Sequence, residues 1–248
     1  MKNLKQFYYK DYFGSVNFSY LLKGDGKAGK DIVEAIKSKN KQLCDVTFVE
    51  KIPEPECVNT CIQAKVCYPG LVTGVGIGHE ASIEGEFKLG MHFDHTYGQP
   101  IIYGSSVKGV LRHYFKECYD GTDEEADELI KDIFGSDDPR DSGKSLYDRD
   151  IFFDAVIVKG DKNGHILAPD SITPHTGGPL KNPIPITFVK IASGCTIEFR
   201  FRLVDSVIGD KTFTAEEKKE LFTEILTTFG VGAKTNVGYG QLEEVKSK

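Results

Sequence analysis

The sequence predicts an α+β chain of ferredoxin-like architecture, an antiparallel sheet packed on one face by helices. Three observations predict it. Apolar or small residues alternate with polar ones over Val58 to Val66 and again over Thr196 to Val204; helical patterns follow Gly104 and Thr214, interleaved with the strands; and a short strand near Val237 to Val245 closes the chain. With 248 residues, 40% of them apolar, the chain can fill one sizeable core, so the expected organisation is one elaborated domain, 56–248, with an extension, 1–55, packed on it.

The extension mixes Tyr, Lys and Gly, holds a helix over Asp31 to Lys39, and ends at Ile52-Pro53-Glu54-Pro55, a boundary signal. Val58, Thr60, Ile62, Ala64 and Val66 form one face of a half-buried strand, and a glycine-punctuated stretch, Gly70 to Gly104, follows. Ser105 or Ser106 is placed to cap a helix whose apolar positions are Val107, Val110, Leu111, Tyr114, Phe115 and Cys118, with Lys108, Arg112 and Lys116 on the opposite face. An acidic helix over Asp123 to Phe134 stops at Gly135, and Ile151 to Val158 reads as a buried strand. Five of the ten prolines fall in Pro169 to Pro185, a composition that cannot continue a central strand and predicts a protruding loop or ribbon. In the strand Thr196 to Val204, Ile197, Phe199, Phe201 and Leu203 point inward and Glu198, Arg200 and Arg202 outward. Thr214 and Glu217 make a capping box for a last helix with the stripe Leu221, Phe222, Ile225, Leu226 and Phe229, ended by Gly230.

No apolar stretch approaches the length of a membrane span and the start Met1-Lys2-Asn3-Leu4 lacks a signal-peptide pattern, which predicts a cytoplasmic protein. Six irregularly spaced cysteines in a chain of this size are expected as reduced thiols. The net charge of −6 excludes a general coat for nucleic acid, but the acid is concentrated in Asp123 to Asp132 and Glu216 to Glu220, which leaves room for a local basic groove.

Two segments carry chemistry. Gly230 to Gly240 places two G-x-G pairs around a five-residue insert: the glycines remove bulk so that backbone N–H groups can approach an anion, and Lys234, Thr235 and Asn236 add a charge and donors. Read as structure alone, it is a helix stop and a tight turn. Gly104 to Arg112 is a helix N-terminus with two hydroxyls and two cations four residues apart, which suits an anion equally well as it suits an ordinary solvated helix.

Together, in this order, these segments resemble the RAMP superfamily of CRISPR-associated proteins, marked by a C-terminal glycine loop G-h-G-x-x-x-x-x-G-h-G that Gly230, Gly232, Gly238 and Gly240 match. Further features are similar to the sixth-subunit family of the Cmr (type III-B CRISPR) effector complex: His92 to Arg112, Ile133-Phe134-Gly135-Ser136, Phe153-Asp154-Ala155, Ile172-Thr173-Pro174-His175 and Asn182-Pro183-Ile184-Pro185-Ile186. The resemblance runs from Val58 to the end. It implies an RRM-like fold near the 3′ end of the guide RNA, working in antiviral defence. Its implied partners are the guide RNA, its duplex with target RNA, the other Cmr RAMP subunits and the small subunit. It implies no cofactor and no catalysis, since the slicing aspartate belongs to the neighbouring backbone subunits and the polymerase to the large one. Pro169 to Pro185 is the candidate for the projecting element that wedges against the guide and target duplex. The sequence lacks the exposed aromatic signature with which RRM sheets stack bases, so RNA is expected to be held by its backbone. The residues expected at the RNA are Ser105, Ser106, Lys108, Arg112, His175, Gly232, Ala233, Lys234, Thr235, Asn236, Gly238 and Tyr239.

Other readings are weaker. A metal-independent guide-processing endonuclease of the same superfamily would use His79, His92, His95 or His175 as general base. A zinc site from Cys57, Cys61, Cys67 and His79 lacks a second closely spaced pair, and Asp148, Asp150 and Asp154 read as solvated strand ends rather than a magnesium site. Gly143-Lys144-Ser145 lacks the first glycine of a P-loop, and Gly74-Val75-Gly76 opens no helix.

Overall fold

The computed structural model describes residues 3–22, 27–74, 76–136, 148–173 and 185–245. In chain order the elements are α1 (Leu4–Gln6), continued by a π-helical turn (Phe7–Asp11), α2 (Lys30–Cys44), β1 (Thr60–Val66), β2 (Ile101–Ile102), α3 (Gly104–His113), α4 (Phe115–Cys118), α5 (Asp123–Phe134), β3 (Ile151–Phe152), β4 (Ala155–Lys159), β5 (Leu167–Ile172), β6 (Ile186–Ile191), β7 (Thr196–Arg202), β8 (Ser206–Ile208), β9 (Lys211–Phe213), α6 (Ala215–Phe229) and β10 (Leu242–Glu244). The main sheet runs β10-β1-β7-β4-β2, with β3 also on β7, and every neighbouring pair is antiparallel.

Local signals set the helix limits. Thr122 caps α5 and Thr214 caps α6, each with a reciprocal glutamate three residues on, and both helices end where a glycine takes positive φ, 89° at Gly135 and 71° at Gly230. α6 lays Leu221, Phe222, Ile225 and Leu226 onto the sheet, where Phe222 meets Phe201 at 5.7 Å and Phe152 at 6.0 Å. Burial of each such side chain stabilises by about 1.5–3 kcal/mol, so this stripe fixes the helix. In α6, Lys218 is also buried, its ammonium 2.7 Å from Asp150.

Four sequence expectations are corrected here. Glu198 and Arg200 do not face water: both are buried, because residues 50–55 return across that side of β7. The Arg200 guanidinium donates to the carbonyls of Ile52 (2.8 Å) and Pro53 (2.9 Å) and to Glu198 (3.0 Å), and Gln63 donates to Glu198 (2.9 Å). The helix expected to run to Cys118 breaks at Tyr114, and the strand expected over Ile151 to Val158 breaks at Phe153 and Asp154. The closing strand is only Leu242–Glu244, because Thr235–Val237 coil into a 3-10 turn.

Residues of the first 55 contribute to the same core. Tyr8 and Tyr12 both pack against the His79 ring, at 4.5 and 5.0 Å, and α2 runs past the expected Lys39 to Cys44 because Ile36 and Leu43 are both buried. Pro169 lies within β5, which pairs with β6 as a separate two-stranded ribbon. The rest of the proline-rich segment, 174–184, lies outside the described residues, as do His175 and Gly143-Lys144-Ser145. Among the described residues no helix is long and apolar enough to cross a membrane.

Candidate nucleic-acid interface

After Gly230 the chain doubles back on itself. Val231 N–H donates to Gly240 O (3.0 Å), Gly240 N–H to Gly70 O (2.8 Å) and Ala233 N–H to Val72 O (2.8 Å). These contacts explain three of the four motif glycines. A Cβ would lie 1.9 Å from Val231 O at Gly240, 2.5 Å from Gly240 O at Gly230, and 2.5 Å from Val72 O at Gly232. The bulk absent at Gly232 is therefore bulk that would strike the protein's own backbone. Gly238 differs: its φ is 92° and its nearest neighbour would be Pro69 Cδ at 3.7 Å. Between the pairs Lys234 takes a left-handed conformation (φ 64°) and opens the 3-10 turn, and Lys234 and Asn236 are exposed.

Tyr239, expected at the RNA, is buried. Its hydroxyl donates to Asp170 Oδ2 (2.8 Å), and Lys190 both pairs with Asp170 and lies 5.5 Å over the Tyr239 ring. Burial, and then the Asp170 carboxylate, push the Tyr239 phenol up to about 12. Burial works to raise the Asp170 carboxyl, but the hydrogen bonds from Lys190 and Tyr239 outweigh it and hold the group below its usual range. Tyr239 thus ties the loop to the β5–β6 ribbon.

Helix α3 also departs from expectation. It begins at Gly104 with Tyr103 as N-cap and no side-chain cap, so Ser105 and Ser106 lie inside the first turn. The Gly104 N–H donates to Asp154 Oδ1 (2.7 Å), and the N–H groups of Ser106 and Val107 bond to Tyr103 O (2.8 and 3.1 Å). A carboxylate already sits at the amide end where an anion was expected. What α3 offers is its side. Lys108 lies 5.9 Å over the Phe152 ring; burial, then the neighbouring Arg112 and Arg149, lower its pKa, a sign of concentrated positive charge.

The loop and α3 meet in one cleft of about 400 Å³, with Ser106, Gly109 and His113 on the helix wall and Gly232, Ala233 and Thr235 on the loop wall. Its floor joins α3 to α6, Tyr114 stacking on Phe229 at 3.8 Å and 2°. Thr73 and His92 line it from the 70–104 stretch. Gly109 and His113 also line an adjoining open groove of about 540 Å³ with Arg112, Lys116 and Glu117. Lys116 pairs with Asp127 at 2.7 Å. Sequence reasoning missed Thr73, Gly109 and His113, and weighed His92 as a general base against structural hydrogen bonding or RNA contact. Tyr68, 86% exposed and next to Pro69 beside the loop, was also missed, since nothing in a strand pattern marks which end residue stays in water.

Of the four candidate histidines, His175 lies outside the described residues, and His79, His92 and His95 stand in separate surroundings. His79 is enclosed by Tyr8, Tyr12 and Phe13, with burial lowering its pKa. His95 is exposed and bonds Lys5. His92 stacks on Tyr103 at 4.1 Å; burial lowers its pKa against the pull of Asp154. The three metal-capable groups that cluster among the described residues are Glu54, Cys61 and Glu198, and Glu198 is already held by Arg200 and Gln63. Asp150 and Asp154 are engaged separately, with Lys218 and with Gly104.

Residues 63–243 match the RAMP superfamily. The chain belongs to this superfamily. The CRISPR system Cmr subunit Cmr6 of Pyrococcus furiosus is 26% identical over 228 residues, covering 68% of this chain and 64% of the relative, so the chain spans less than two thirds of that protein's length. A chain in the cryo-EM structure of the type III-B Cmr-beta bound to cognate target RNA shares the fold, with TM-score 0.53 and 20% identity over 88% of this chain and 66% of that one. The crystal structure of Cmr6 from Pyrococcus furiosus aligns at TM-score 0.43 and 21% identity, over 78% of this chain and all of that one.

Proposed function

We propose that this RAMP protein is a non-catalytic, guide-RNA-binding structural subunit of a type III-B CRISPR (Cmr) effector complex, cytoplasmic and placed near the 3′ end of the guide. The observation that carries the reading is that the glycine loop and α3, far apart in sequence, form the two walls of one cleft that opens onto Arg112 and Lys116. The cleft walls present hydroxyls and bare backbone, and the adjoining groove adds Arg112 and Lys116, the groups that hold a sugar-phosphate chain without reading its bases. Similarity to the Cmr subunit Cmr6 supports the placement in a Cmr complex.

The strand order β10-β1-β7-β4, all antiparallel, with α3 after β1 and α6 after β7, supports a ferredoxin-like core at 56–248 with 1–55 as its extension. On β7, the side away from α6 carries Glu198 and Arg200 under residues 52–53 in place of exposed aromatics, which favours backbone recognition over base stacking on the sheet. Of the candidate bases, His79 is enclosed by aromatic rings and His95 is engaged by Lys5, which favours a structural role for these two over catalysis.

The test is to tag the chain in its native cell and identify what co-purifies. Guide-derived RNA together with several other RAMP proteins is expected. A lone chain that cleaves RNA without metal, and stops doing so as His92→Ala, would establish the endonuclease reading in its place.

A further inference from the structure

Gly109 sits inside α3, where glycine is disfavoured against alanine because it surrenders more backbone freedom. Every other described glycine either has a positive φ or would bring an added Cβ within 4 Å of a neighbour. Gly109 alone among them has neither, its Cβ position facing open space. The fold gains nothing from the missing side chain there, so what needs the space comes from outside.

Its position says what that is. Gly109 lines both the cleft and the adjoining groove, as does His113. Ser106 lies one turn before it on the same face and His113 one turn after, so the face carries a hydroxyl, then bare backbone, then an imidazole. Across the cleft stand Ala233 and Thr235 of the glycine loop; beyond Gly109 the groove opens onto Arg112 and Lys116. Positive charge gathered at Lys108, Arg112 and Arg149 suits a polyanion at this exit rather than an apolar peptide. Glu117 also lines this groove and disfavours a phosphate directly beside it.

We propose that one RNA strand crosses α3 at Gly109, passing from the glycine-loop cleft into the Arg112 groove, with Gly109 the point where its backbone comes closest to the helix. This rests on the RNA-backbone reading above.

The experiment compares the full-length chain with its Gly109→Ala and Gly109→Leu variants, by thermal unfolding and by anisotropy of a fluorescein-labelled single-stranded RNA of mixed sequence. Both variants fold, since nothing lies within 4 Å. Gly109→Ala raises the melting temperature by about 2–4 °C yet weakens RNA binding. Gly109→Leu weakens it by roughly tenfold or more, for all sequences alike. Wild-type binding matched by an unaltered Gly109→Leu overturns the crossing and leaves the function standing. So does intact RNA binding with loss of co-purifying protein subunits, which would make the groove a protein seat. A wild-type chain that binds no RNA overturns the proposed function and the crossing with it.

Discussion

On the loop wall of the cleft, glycine sits where backbone meets backbone, and a methyl group at Gly240 would lie 1.9 Å from a carbonyl oxygen; on the helix wall, Gly109 looks into open space. The same residue type answers an internal demand on one wall and an external one on the other. Spacing along a sequence does not separate these demands, because both leave the same letter. The volume a Cβ would occupy does separate them.

The contrast can be broken most sharply at Gly240. Gly240→Val should cost roughly 4 kcal/mol or more and bring down the melting transition together with RNA binding, because both backbone segments must move. A variant that melts like the wild type would remove the internal role of the loop glycines. At Gly238, where only the positive φ opposes a side chain, valine should cost about 1–2 kcal/mol and leave a folded chain whose RNA affinity is reduced. Unfolding and binding measured on the same preparation would show whether the two losses separate, as they do not at Gly240.

Lys234→Ala and Arg112→Ala probe the two walls by charge. Each should weaken RNA binding similarly for every guide sequence and lower the salt slope by about one unit, with Lys234→Ala shifting stability by no more than about 0.5 kcal/mol. An effect confined to one sequence would mean that a wall reads bases. The smallest effect lies away from the cleft. Burial holds the His79 pKa below 6.5, so the unfolded chain binds this proton more tightly than the folded one. Stability should therefore fall as pH drops below 6.5, by at most about 1.4 kcal/mol per pH unit, and His79→Phe should flatten that dependence in chemical denaturation.

What could be read from sequence follows the range of the forces involved. The limits of α5 and α6 were legible because a capping box and a glycine stop act within one turn. That the glycine loop and α3 form one cleft was not legible, because the sequence marks each segment by itself and which walls meet is set by the tertiary fold. Glu198 and Arg200 were misread because period-two alternation says which side of a strand is polar, not whether a distant segment such as Ile52-Pro53 covers it. The serines of α3 were misread as caps because Asp154, a remote residue, takes the first amide. Tyr239 was expected at the RNA, and its burial was not legible because its partner Asp170 lies on the ribbon, which local pattern cannot place.

That last contact has a mechanical consequence. The Tyr239 hydroxyl and the Lys190 ammonium grip the same carboxylate, one from the loop and one from the ribbon that carries Asp170 itself. A load applied to the β5–β6 ribbon, by a neighbour or by a duplex pressing on it, must either rupture this charge-assisted link or swing the loop with it. The ribbon and the loop are thus coupled through one tyrosine, so that a displacement of either is resisted by the other.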